Sequence, residues 1–185
     1  MKKFFFSTLL LGLIVFAGQA SAGGFTLSSP QIQPGGTLPK DQIFNSFGCT
    51  GNNISPRLEW KNPPKGTKSF AVTVYDPDAP TGSGWWHWVL FDIPADTHSL
   101  ELSAGNLNAG KAPKGSIQSL TDFGVPGYGG ACPPAGDKPH RYIFTVFALD
   151  TPSLGLDAKA MPALVGFSMN GKILGKATLT GVSSR

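Results

Sequence analysis

The chain has 185 residues with 15 Lys and Arg against 11 Asp and Glu, and only 14% of it is charged, where a typical domain carries about 25%. Its basic residues are scattered, with no run longer than Lys2-Lys3, which excludes the basic stripe of a nucleic-acid-binding surface. The 24 glycines and 16 prolines make the chain turn-rich, and the apolar runs between them exclude the disordered class and point to a folded, mainly β protein.

The first element in chain order is a secretory signal over residues 1–22. Lys2 and Lys3 form a basic start, "FFFSTLLLGLIVFAG" is apolar, and Ala20-Ser21-Ala22 is a small-residue cleavage site. The apolar run falls short of the roughly 20 residues of a membrane span, so no span is expected after a cut behind Ala22. Loss of Lys2 and Lys3 lowers the basic count from 15 to 13 against 11 acids, which makes the mature chain only weakly basic. The leader is bacterial in style, and the expected location is the periplasm or the exterior. Residues 23–185 are then a single domain, and a chain of that size buries roughly 70% of the surface it exposes when unfolded. Two cysteines, Cys49 and Cys132, form an even count in an oxidising compartment, which favours a disulfide; they lack a metal-type spacing.

Three segments read as central strands: "SFAVTVYD" (69–76), "HWVLFDI" (87–93) and "RYIFTVFAL" (141–149). In the last, both alternating sets of side chains are mostly apolar, so the strand should be covered on both faces. Weaker strand signals lie at 25–29, 57–60, 116–120 and 175–182, with Gly and Pro clusters supplying the turns. One helix is expected over 162–170, with Pro162 in its first turn and Asn170-Gly171 at its C-terminal end. The long connections 95–115 and 121–140 are of a length that is usually functional or flexible.

Chemistry concentrates around these strands. Asp76-Pro77-Asp78 ends the first of them, with Pro77 stiffening the step between two carboxylates that start on one side. Taken alone, the pair also reads as a turn in which each Asp caps backbone amides. His87, inside "WWHW", alone reads as a hydrogen-bonded core residue. The stretch "GGACPPAGDKPHRYIF" brings a stiff Pro133-Pro134 loop and then His140 into the third strand. Two acids at one strand end and two histidines at strand starts share the rim of one sheet, and this joint arrangement outweighs the separate readings.

The set "DPDAP", "WHW", "CPPAGDKPHRY" and "GCTGNNISPRLEW" resembles the phosphatidylethanolamine-binding protein family, in its bacterial Raf-kinase-inhibitor-like branch and in a secreted form. The resemblance runs over essentially the whole mature chain. It implies a large antiparallel sheet packed on a smaller one, one or two short helices, and a small surface cavity for a phosphate-like anion, either free phosphate or a phosphorylated headgroup. Carried over, the cavity's acids are Asp76 and Asp78, its histidines His87 and His140, its wall Pro133 and Pro134, and its aromatic neighbours Trp85 and Tyr142. No cofactor is implied. A protein partner at the rim and, by analogy, a homodimer are. The C-terminal pocket-covering helix of eukaryotic members has no counterpart in this sequence, which implies a more open pocket. A cis peptide that the family carries near this turn, with the tight reversal after "DPDA", predicts a cis Ala79-Pro80 bond. Protonated imidazoles are expected to donate to the anion, with a carboxylate orienting them.

Two other functions compete with the binding module. One is a hydrolase using an Asp-His pair on a phosphate or acyl substrate, although "GFSMNG" departs from the G-x-S-x-G nucleophile elbow at its last position. The other is a zinc-type site built from Asp76, Asp78, His87 and His140.

Overall fold

The computed structural model describes residues 24–185, so the expected signal segment and its cleavage site lie outside the described residues. The strands among the described residues are β1 (Thr26–Ser28), β2 (Leu58–Lys61), β3 (Ser69–Asp76), β4 (Trp85–Pro94), β5 (Ser99–Leu100), β6 (Ile117–Gln118), β7 (His140–Leu149) and β8 (Ile173–Ser183). They form two antiparallel sheets: a small one in the order β1-β2-β5 and a large one in the order β6-β4-β3-β7-β8. One α-helix, α1 (Pro162–Met169), precedes β8, and single 3₁₀ turns lie at Lys40–Gln42 and Leu107–Ala109. The fold is therefore mainly β, a large sheet on a smaller one, as expected.

The burial of β3 along nearly its whole length has a physical reason. Phe70, Val72 and Val74 project to one face, where they meet Trp88, Tyr142, Phe144 and Val146 of the large sheet and Leu58, Trp60 and Leu100 of the small one. Ala71, with Val89, Phe91 and Leu149, faces the other side and packs under Val165 and Met169 of α1. A strand buried on both faces has no polar side to show, which is why the alternation in β3 and β7 is apolar against apolar.

Element boundaries match the reading of the sequence most closely where the pattern is long. β8 is longer than the expected 175–182, and the 116–120 signal shrinks to the two residues of β6. β5 was not among the expected strands: its two residues pair with Leu58 and Glu59 and are too short to show a period. Helix α1 begins at Pro162 and stops before Gly171, whose φ of 74° is the left-handed conformation glycine adopts freely.

The bridge between Cys49 and Cys132 is present, with the two Cα atoms 5.9 Å apart across 83 positions of sequence. The Ala79-Pro80 bond is trans, since no cis peptide occurs among the described residues. The reversal is closed by side-chain capping instead. Asp76 Oδ1 accepts from the amides of Asp78 (2.8 Å) and Ala79 (3.1 Å), and Thr81 N donates to Ala79 O at 2.8 Å.

Candidate functional site

Antiparallel pairing gathers the acids and histidines. β3 ends where β4 and β7 begin: Asp76 pairs with Trp85, and Tyr75 with Ile143. The last residue of one strand and the first residues of its two neighbours thus share one rim.

His87 reaches this rim through a β-bulge. Val74 pairs with Trp88 and Tyr75 with Trp86, which leaves His87 as the extra residue of β4. A bulge breaks the alternation and re-aims the side chain it carries. The long connection after β6 then holds the residue from both ends: Gly129 N donates to His87 O, and His87 Nδ1 donates to Gly129 O, each at 2.8 Å. A carbonyl only accepts, so the proton of the neutral ring sits on Nδ1 and Nε2 carries a lone pair. The imidazole is 4% exposed. Burial pushes its pKa below the ordinary value, against the opposing pull of the Gly129 carbonyl, Asp76, the Gly130 carbonyl and Asp122. Burial thus favours the neutral ring of His87 in the free protein, against the expectation of a protonated donor at this position.

Asp76 serves two purposes at once. While Oδ1 caps the turn, Oδ2 accepts from His140 Nδ1 at 2.8 Å. Only 2% exposed, its carboxylate is made tolerable in the interior by three donors. The capping and the histidine-orienting readings of this acid both hold. His140, 3% exposed, turns its Nε2 toward Asp137 Oδ2 at 3.4 Å.

His87, His140, Asp76, Trp85, Pro133 and Pro134 line one cavity of about 220 Å³, closed on its other sides by Phe47, Phe123 and the 79–81 turn. The two prolines have no backbone N–H, so their wall is apolar and stiff. No Lys or Arg is among the lining residues. A neighbouring cavity of about 310 Å³ shares Phe123 but is lined by no acid, histidine, lysine or arginine, so the chemistry belongs to the smaller one.

Two residues expected in the cavity stand elsewhere. Asp78 turns away from it to Arg141: its Oδ2 accepts from Arg141 Nε and from the Arg141 amide, both at 2.9 Å, and its Oδ1 from Nη2 at 2.8 Å. The hydrogen bonds from Arg141 hold its carboxyl down at about 2, from an ordinary 3.8. Pro77 separates the two acids more than the spacing suggested, because Asp76 is the last strand residue and Asp78 is already in the turn. Tyr142 lies behind the site, with its ring edge-on to His87 at 5.1 Å between centroids and its hydroxyl without a hydrogen-bond partner. It supports the imidazole and does not line the cavity.

Three contributors were not legible in the sequence. Phe47, 66% exposed with a φ of 55°, and Phe123 form the aromatic side of the mouth, 5.9 Å apart between centroids, while Asp137 faces His140. A phenylalanine in a Gly-rich loop carries no pattern that separates a cavity wall from a surface residue. Among the described residues, no group of three or more His, Cys, Asp or Glu is placed to hold a metal ion.

Residues 28–184 match the family model described as phosphatidylethanolamine-binding protein. The chain belongs to the phosphatidylethanolamine-binding protein family. It is 49% identical to the UPF0098 protein YbcL of Escherichia coli over 182 residues, covering 98% of each chain. With the UPF0098 protein YbhB of the same organism it shares 49% identity over 158 residues, 85% of this chain and 99% of that one. The crystal structure of Escherichia coli YbcL, described as a new member of the mammalian family, superposes with a TM-score of 0.85 over 87% of this chain and 98% of that chain. A homolog from Chlamydia trachomatis, 28% identical, gives a TM-score of 0.73 over 87% of this chain and 97% of that one.

Proposed function

We propose that this member of the family is a binding protein that holds a small phosphate-like anion, free phosphate or a phosphorylated headgroup, in the cavity at the rim of β3, β4 and β7. The observation that carries the reading is the arrival of two imidazoles, His87 and His140, from different strands at one cavity of about 220 Å³, each with its Nδ1 already committed to a protein partner. That commitment leaves the His87 Nε2 for a ligand, and the His140 Nε2, whose one protein neighbour is the half-exposed Asp137 carboxylate at 3.4 Å, is the second contact a ligand would compete for. Of the thiol and hydroxyl groups in the lining, Cys132 is in the disulfide and the Thr81 hydroxyl donates to Gly84 O at 2.5 Å. On the leader that the sequence predicts over residues 1–22, the setting we propose for this binding is periplasmic or secreted.

Calorimetry with inorganic phosphate tests the reading. Replacing His140 by Ala removes one of the two imidazoles and is expected to weaken binding by about 1–3 kcal/mol, the range for a hydrogen bond to a charged group. Equal affinities for wild type, His87→Ala and His140→Ala would remove the cavity assignment.

A further inference from the structure

The bridge between Cys49 and Cys132 stands between two cavities and shows a different sulfur-bearing residue to each. Cys132, half-buried, lines the cavity that holds His87 and His140, and Cys49 does not. Buried Cys49 instead lines a separate cavity of about 240 Å³ with Gly48, Thr50 and Arg185, to which Cys132 does not contribute. The charges around the two sulfurs differ as well. Arg185 Nη1 stands 3.5 Å from Cys49 Sγ and 3.7 Å from Cys132 Sγ. Cys132 Sγ also faces the carbonyl oxygens of Ser46 and Phe47, each at 3.7 Å. A guanidinium favours a thiolate and carbonyl oxygens oppose one, so Cys49 is the better leaving group of the pair.

We propose that this bridge is a thiol–disulfide exchange site, open to a small thiol that enters through the histidine cavity. The thiolate of the incoming compound attacks Cys132 Sγ and forms a new S–S bond there. The Cys49–Cys132 bond breaks, and its electron pair leaves on Cys49 Sγ as a thiolate beside the Arg185 guanidinium. One disulfide is exchanged for another, with the incoming thiol as the co-reactant and no other oxidant or reductant consumed. The size of the entrance sets the class of compound: about 220 Å³ lies below the roughly 300–1,000 Å³ of pockets for drug-sized ligands, so a small thiol fits and a thiol on a folded protein does not. The compound held on Cys132 then occupies the lining beside Pro133 and Pro134. This exchange does not rest on the anion reading of the same cavity.

The test treats the folded, oxidised protein with β-mercaptoethanol at about pH 8, where a cysteine-type thiol is partly ionised. Excess N-ethylmaleimide stops the reaction, peptide mass spectra locate the products, and circular dichroism follows the fold. The expected intermediate carries mercaptoethanol on Cys132 and maleimide on Cys49, at least about tenfold more abundant than the reverse arrangement. In Arg185→Gln the bridge should open about three- to tenfold more slowly, because its leaving thiolate has lost a cation, and Arg185→Lys should recover most of the rate. Adducts found on Cys49, or on both cysteines equally, would overturn the proposal, since the cavity then does not direct the attack. A bridge that opens only where urea has unfolded the chain overturns it too. An Arg185→Gln rate equal to or above that of wild type removes the leaving-group role of Cys49.

Discussion

Asp78 owes its depressed pKa to Arg141, and the sign of the effect on stability follows from that. A carboxyl held at about 2 in the folded protein, from an ordinary 3.8, contributes stability that is fully present above its unfolded value and is lost as pH falls through the folded one. Asp78→Asn should therefore be less stable than wild type at neutral pH, with the gap closing as the pH falls from the ordinary value toward the folded one, as followed by urea denaturation. Because the side chain faces Arg141 and not the cavity, the same variant should bind phosphate with wild-type affinity. Asp76→Asn should do the opposite. It keeps the shape of the turn but loses the charged acceptor for His140 Nδ1, so binding should weaken by roughly 1–3 kcal/mol; calorimetry on the two variants side by side separates the two acids. That Asp76 belongs to the rim was legible from its place at the end of an apolar strand. That Asp78 does not was hidden, because its partner Arg141 lies 63 positions away and is brought near only by the pairing of β3 with β7.

At the scale of elements, the three central strands were readable because each is long enough to repeat its pattern, whereas the two residues of β5 and of β6 repeat nothing. The bulge at His87 was invisible for another reason: "WWHWVL" is a good strand in either register, and only the pairing with β3 shows which residue is extra. The segment that locks the bulge is itself locked by glycine. A Cβ at Gly130 would stand 2.6 Å from the backbone of Ile43 and Phe44, and the Gly130 amide donates to Asn53 Oδ1 at 2.7 Å. Backbone cannot yield as a flexible side chain can, so Gly130→Ala should push this segment off the 42–44 strip and loosen the Gly129 grip on His87. The expected outcome is a lowered melting temperature together with weaker phosphate binding; a melt and a titration equal to wild type would show that the segment does not govern the imidazole.

At the scale of the whole molecule, the Cys49–Cys132 bridge joins the loop that presents Phe47 to the loop that presents Pro133 and Pro134, across 83 positions of chain. In the chain-entropy account, opening a loop of that length costs roughly 4–5 kcal/mol of stability. Denaturant midpoints with and without reductant should differ accordingly, and coincident midpoints would show that the bridge does not constrain the unfolded chain. The cavity also has parts of different backbone support. Its floor, Asp76, His87 and His140 with Trp85, stands on strands of the large sheet, while its phenylalanine and proline sides hang from loops. Amides in the ladder are expected to exchange with solvent far more slowly than those of the loops. The consequence is a separation of roles under mutation: a change at Phe47, which touches only other phenylalanine rings, can resize the opening and leave the floor alone, whereas a change at Phe123, edge-on to His87 at 5.3 Å, reaches the floor itself.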